Sequence, residues 1–454
     1  MEKWGNRLII VLIISFCISQ VLETSYLDKL NALLTIIVMI TTLYFSRNLP
    51  KVFSLIIILI GTVLLIYQGL SVDRIIESVT KNLPLVSIII VVPILSIPIQ
   101  LGKYNEKIAA FFSRFNRKPQ FVYMISYSLF YLLGPITNLG SIHIIHSMLQ
   151  KLKLPAEFLG RLYTRGFSSI NTWAPYFASV FLVVYFIEIP MYIYLPFGLL
   201  LSLFQFGLAN ILFSLKELPD IKNNIEPVET NEESGAKGII ELTLSLLLLI
   251  TVIFVIEPFI NFNVSVLIVV VAIIFSLTWS FYLGSLNRFF DEVAVFIKEI
   301  VKKQSNEIAL FLSAGFFAVV LSNSSISHYI SLIWNGLADQ SVILLIYFTI
   351  LLISLLSFLG IHQIVIVSTI LANVTPEIIG IHDIIFAMTL LSAWAIASII
   401  SPIAPMNVVS SNLVSVNVFR LIFKWNFLYA FLLAIIHTIV IYITHLTLDG
   451  FNIF

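Results

Sequence analysis

Eleven apolar runs, all but one close to the length that crosses a bilayer as a helix, recur along this chain. A hydrocarbon core about 30 Å thick takes roughly 20 apolar residues per helix. Runs of that kind fall at 8–23, 31–46, 52–70, 83–100, 165–188, 192–214, 238–256, 262–285, 307–325, 384–418 and 425–445. In lipid every backbone N–H and C=O must find a partner within the protein, so the runs are expected to be helices. Charged residues make up only 11% of the chain, whereas soluble domains use about 25% to cover a water-facing surface. The expected fold is therefore an all-α polytopic membrane protein with about eleven transmembrane helices. The run at 384–418 is too long for a plain span and is interrupted by Pro402 and Pro405. Two further stretches, 121–150 and 342–374, are broken in the middle by Gly, Pro and polar residues, and each has room for two half-spans and a tip.

Composition removes several function classes. The 25 basic and 24 acidic residues nearly cancel, so no attraction to nucleic acid follows. Cys17 is the only cysteine, which excludes a disulfide within the chain and a cysteine metal cluster. Glu23 and Tyr26 stand where a small-residue cleavage site would be needed, so the first run is expected to be an uncleaved span.

Lysine and arginine orient the chain, because they collect on the cytoplasmic side. Lys3 and Arg7 precede the first span, and Arg47 and Lys51 follow the second. Lys103, Lys107, Arg114, Arg117 and Lys118 follow the fourth, while Lys151, Lys153, Arg161 and Arg165 follow the first broken stretch. Arg288, Lys298, Lys302 and Lys303 precede the ninth span, and Arg420 and Lys424 follow the tenth. All fall on one side if both broken stretches are re-entrant hairpins that return to the side they left. The N-terminus is then cytoplasmic and the C-terminus external, in a multi-pass protein of the cell membrane. Residues 1–30 hold the first span, and 31–214 form a first repeat with a cytoplasmic-side hairpin near 121–150. A polar cytoplasmic linker at 215–237 joins it to a second repeat, 238–454, with an external-side hairpin near 342–374. The two opposed hairpins make the halves an inverted repeat, the pattern of alternating-access transporters.

Neutral polar residues cluster in four places. The first tip reads Gly134-Pro135-Ile136-Thr137-Asn138-Leu139-Gly140-Ser141, and the fifth span opens with Ser168-Ser169-Ile170-Asn171-Thr172-Trp173-Ala174-Pro175. The second tip holds Gly360, His362 and Gln363, and the tenth span holds Ser398, Ser401, Pro402, Pro405 and Asn407. Each proline removes a donor and frees a carbonyl one turn earlier, and unpaired backbone at that depth is tolerated only inside protein or along a wet cavity. Freed carbonyls with Ser, Thr and Asn oxygens suit a hard cation such as sodium, with Asn138, Ser169 and Asn171 its expected ligands. Half-helix N-termini favour an anion. The candidate binding residues are thus Thr137, Asn138, Ser141, Ser169, Asn171, Thr172, Gly360, His362, Gln363, Ser398, Ser401 and Asn407. Asn171→Ala and Asn407→Ala are each expected to abolish transport while leaving expression and folding largely intact. A lone proline or serine in a membrane helix is otherwise a packing residue, and Trp173 and Trp394, which correspond in the two repeats, fit packing or function equally. No Asp or Glu lies in mid-span, which disfavours carboxylate proton coupling, although His362 offers a proton carrier. His143 and His146, one turn apart, lack a third ligand for a metal. No other cofactor is expected.

At these residues the chain resembles the ion transporter superfamily, which includes divalent-anion/sodium symporters and arsenite-type permeases. Symporters of that family carry a Ser-Asn-Thr motif at each tip and again at the following break. Thr137-Asn138 match it at the first tip, and Ser169, Asn171 and Thr172 at the first break; Gly360, His362 and Gln363 depart from it at the second tip. The resemblance implies an elevator mechanism, a homodimer, and a moving unit of both hairpins with spans 5, 6, 10 and 11. The expected function is secondary transport of a small anionic solute rather than enzymatic catalysis. A lipid or polyprenyl-phosphate flippase is the alternative. A membrane glycan polymerase or ligase is disfavoured by short, charge-poor external loops, and a channel by the lack of charged rings.

Overall fold

The computed structural model describes residues 2–22, 24–69, 71–104, 106–107, 119–217 and 235–451. Arg114, Arg117 and Lys118, and the linker residues Pro219, Asn223, Asn224, Pro227, Glu232, Glu233 and Ser234, lie outside the described residues. Every regular element among the described residues is helical. The first are α1 (Glu2–Leu22), α2 (Ser25–Phe45), α3 (Asn48–Tyr67), α4 (Val72–Thr80), α5 (Leu83–Val91) and α6 (Ser96–Leu101). They are followed by α7 (Pro119–Thr137), α8 (Gly140–Leu149), α9 (Ala156–Ile170), α10 (Ala178–Ile187) and α11 (Met191–Leu212), the last running into a π-turn, Phe213–Glu217. Then come α12 (Gly235–Ile256), α13 (Val264–Tyr282), α14 (Leu286–Ser322), α15 (Ser325–Gln340), α16 (Val342–Phe358), α17 (Gln363–Asn373) and α18 (Pro376–Ile379). The chain ends with α19 (Asp383–Ile400), α20 (Pro405–Leu413), a second π-turn (Arg420–Asn426) and α21 (Phe427–Phe451).

Ten helical runs among the described residues are long and apolar enough to cross a membrane. The chain is a multi-pass, all-α membrane protein. The expected fifth span, 165–188, is missing from those ten because it is two pieces: α9 stops at Ile170 and α10 restarts at Ala178. The run at 384–418 divides likewise into α19 and α20. Where the sequence predicts a loop before 307, α14 already runs from Leu286, 37 residues or about 55 Å at 1.5 Å per residue. A search for uninterrupted apolar runs rejects its first half, where Phe289, Ile300 and Val301 are buried among exposed charged residues. The segment 326–341, between the ninth span and the second broken stretch, is mostly α15.

The described chain divides into two compact units, each drawing on both halves of the sequence. The first is Met1–Ile97, Val252–Gly336 and Ile364–Ile379. Its long helix α14 packs along α1, α2, α3 and α4, with Phe316 and Val320 closing a core around Ala32, Leu65 and Val79. Polar side chains fix the register inside this apolar packing. Asn6 Nδ2 donates to Lys298 O at 2.6 Å, and its Oδ1 accepts from Val301 N at 2.8 Å. Asn82 Nδ2 donates to Phe311 O at 2.9 Å.

The second unit is Pro98–Thr251, Leu337–Gln363 and Gly380–Phe454. Here α7 packs on α9 and α16 on α19, with α21 against α11, α16 and α19. At Gly134 on α7 the Ile170 side chain comes so close that a Cβ would overlap it, which sets the last turn of α7 against the end of α9. Asn138 turns the first tip with φ 50°, a left-handed conformation that Asn tolerates better than most residues. At the second tip Gly360 has φ 100°, a region open essentially to Gly alone. His437, buried in α21, lies 2.6 Å from Ser392 Oγ and 3.2 Å from Leu201 O, so it links three helices.

Candidate substrate site at two helix breaks

The first break, Asn171–Phe177, follows from Pro175. In a continuous helix the residue at 175 would donate to Asn171 O, and proline has no N–H to give. Ser179 Oγ donates to Asn171 O instead, at 3.0 Å. Neighbouring carbonyls find side-chain donors as well: Thr172 O accepts from Tyr194 Oη at 2.9 Å and Ser169 O from Ser202 Oγ at 3.2 Å. The same logic governs the second break. Pro402 and Pro405 withhold donors from Ser398 O and Ser401 O, and the Asn407 amide supplies them. Its Nδ2 lies 2.9 Å from Ser398 O, 2.9 Å from Ile399 O and 2.9 Å from Ser401 O. The carbonyls expected from sequence to be free thus already have partners, and Ser401 O accepts from Ala404 N at 3.3 Å as well as from Asn407.

Within this unit the two breaks touch. Asn171 Nδ2 lies 3.5 Å from Ser398 Oγ, and Thr164 Oγ1 donates to Asn407 Oδ1 at 3.4 Å. Ser401 Oγ donates to Ser357 O at 2.8 Å, joining the second break to the last turn of α16, just before the second tip. The first tip adjoins the first break through Gly134 and Ile170, and α8 packs on α20. So the four clusters are brought to one region. Thr137 and Ser141 bond within the first tip, to Leu133 O at 2.8 Å and Asn138 O at 2.7 Å, and Asn138 is exposed. Ser169 donates to Gly166 O at 2.7 Å, Thr172 to Ser169 O at 2.9 Å and Ser398 to Ala395 O at 2.7 Å. Each of these hydroxyl protons is engaged by backbone, which leaves the oxygens as acceptors. Gly360 and the half-buried His362 stand at the second tip, and the Gln363 Nε2 beside them is buried with no hydrogen-bond partner. His146, by contrast, pairs with Tyr163 Oη at 2.9 Å.

The asparagines differ in kind. Asn407 is fully buried and its amide completes the backbone of the second break. Asn171 is held loosely, its Nδ2 by Ser168 O at 3.3 Å and Ser398 Oγ at 3.5 Å and its Oδ1 by Ser179 Oγ at 3.3 Å. The contacts within the protein thus separate two residues that look alike in the sequence.

No family model matches the sequence, and no curated protein matches it. Among solved structures, the YdaH transporter of Alcanivorax borkumensis superposes with a TM-score of 0.53 at 15% identity, over 78% of this chain and 84% of that one. The chain shares that transporter's fold.

One buried group beside the breaks was not legible as such. Arg165, read from sequence as part of a cytoplasmic basic cluster, is 1% exposed. Its guanidinium donates to Glu217 Oε2 at 3.0 Å and Oε1 at 2.8 Å, to Asn426 Oδ1 at 3.0 Å and to Trp425 O at 2.9 Å. It also lies over the Tyr429 ring, 4.8 Å from the centroid. Glu217, assigned from sequence to the solvated linker, is buried at the end of the first π-turn, where Arg161 Nε also approaches it at 3.5 Å. Four of the five guanidinium N–H groups are engaged, so Arg165 is a pin for α9 rather than an anion receptor. The sequence signal available was a glutamate three residues after the sixth apolar run.

Proposed function

We propose that the protein is a secondary active transporter of a small anionic solute, working by elevator-type alternating access in the cytoplasmic membrane and coupled to sodium. The observation that carries this reading is the meeting of two proline-broken helices, at Asn171 and Ser398, inside a single compact unit. Broken helices at a repeat interface are where such transporters bind solute and ion. The fold shared with a membrane transporter supports the reading, as does membership of the second unit. It holds the first hairpin, α16, and the helices of spans 5, 6, 10 and 11, nearly the set that a resemblance to the ion transporter superfamily assigns to the moving body. In this proposal the proton-engaged hydroxyl of Ser169, with the side-chain oxygens of Asn138 and Asn171, faces sodium, and the N-terminal turns of α8 and α20 face the anion. The protein works as a homodimer with a cytoplasmic N-terminus and an external C-terminus.

Two measurements test it. Proteoliposomes given labelled small anions are expected to accumulate one of them only under an inward sodium gradient. Uptake that follows a pH gradient and ignores sodium would overturn the coupling, and would point to His362 as a proton carrier. Topology is checked by cysteine accessibility after replacing Cys17. Cysteines introduced near Gln120 or Lys153 are expected to react only from the cytoplasmic side, and labelling of either from outside would sink the re-entrant arrangement.

A further inference from the structure

Anion binding needs donors, and the hydroxyls of the two breaks have none to offer, their protons being engaged by backbone carbonyls. Two donors of the first break are different. Trp173 Nε1 and Tyr176 Oη are buried and have no hydrogen-bond partner in the protein, with each residue 4% exposed. Tyr127, Tyr194 and Tyr429, buried in the same unit, each donate to a backbone carbonyl, whereas Tyr123 Oη on α7, away from the breaks in sequence, has no partner either. A buried donor left without an acceptor is costly and uncommon, and here two stand three residues apart on the non-helical segment that begins at Asn171. The Trp173 ring is held in place, stacked on Tyr131 with centroids 5.6 Å apart and planes 20° from parallel. An indole N–H can only donate, and a phenol O–H donates readily to an oxyanion.

We propose that Trp173 and Tyr176 are solute-binding residues that donate hydrogen bonds to the oxyanion, such as a carboxylate, of the transported solute. The inference rests on the anion-transport reading above and adds residues and a ligand chemistry to it. Division of labour follows: Asn171 and the hydroxyl oxygens accept, while the aromatic pair donates. The substitutions Trp173→Phe and Tyr176→Phe each keep a ring and remove one donor.

Uptake of labelled succinate, benzoate and sulfate into proteoliposomes is measured for wild type and both variants, together with the melting temperature of the solute-free protein. Each variant is expected to raise the KM for the transported anion about ten- to a hundredfold, the loss for a hydrogen bond to a charged group. The solute-free melting temperature should stay level or rise, since an unmet buried donor has been deleted. An unchanged KM in both variants overturns this inference and leaves the transport reading intact. Wild-type protein that takes up none of the three anions overturns the transport reading, and this inference with it.

Discussion

Glu217→Ala is expected to cost about 3–5 kcal/mol of stability, the usual result of removing one partner of a buried ion pair. The loss strands the Arg165 guanidinium among Tyr429, Asn426 and Trp425 with no counter-charge, since Glu217 supplies both of its carboxylate contacts. Thermal unfolding in detergent, read by size-exclusion, should show a large fall in melting temperature. The double variant Arg165→Met/Glu217→Leu should recover much of it, because apolar replacement of a buried pair is often neutral or better. A Glu217→Ala protein that melts with wild type would mean that water reaches the pair.

The second large effect separates the two asparagines. Asn171→Ala is expected to weaken sodium binding and, through it, to lower apparent solute affinity ten- to a hundredfold, from about 1.5–3 kcal/mol for a lost contact to a charged ligand. Its melting temperature should hardly move, because its contacts within the protein are 3.3 and 3.5 Å long. Asn407→Ala should do the reverse. It removes the shared donor of Ser398 O, Ile399 O and Ser401 O, at about 1–3 kcal/mol for a buried acceptor left unmet. Ser313→Ala, which loses one bond to Leu310 O outside the site, is the control, with about 0.6 kcal/mol expected for an average membrane-protein hydrogen bond. Uptake kinetics and melting curves on the same three variants decide the matter, and a normal KM for Asn171→Ala would move the site elsewhere.

Apolar run length was enough to place most helices, and prolines marked both breaks, since these are local properties that one segment carries alone. Pro175, Pro402 and Pro405 could be assigned their effect on the backbone without a structure. What compensates them could not, because Ser179 and Asn407 are ordinary polar residues until the chain folds back on itself. Charge was misread for the same reason. Arg165 and Glu217 each sit beside an apolar run and look like boundary charges, and only their pairing across 52 positions makes them interior. The first half of α14 was missed because its few buried residues, Phe289, Ile300 and Val301, stand among charged ones that break up any apolar run.

The spacing of the Arg165 contacts along the chain bears on how the protein is made. Glu217 follows Arg165 by 52 residues, whereas Asn426 follows it by 261. At about 5–20 residues per second, the carboxylate leaves the ribosome roughly 3–10 s after the arginine and the amide roughly 13–50 s after it. The counter-charge is therefore synthesised just after the first repeat, long before the helices that finally enclose the pair exist. A nascent first half can hide its arginine with its own glutamate while it waits, and a ribosome stalled before Glu217 would leave that charge facing the insertion machinery alone.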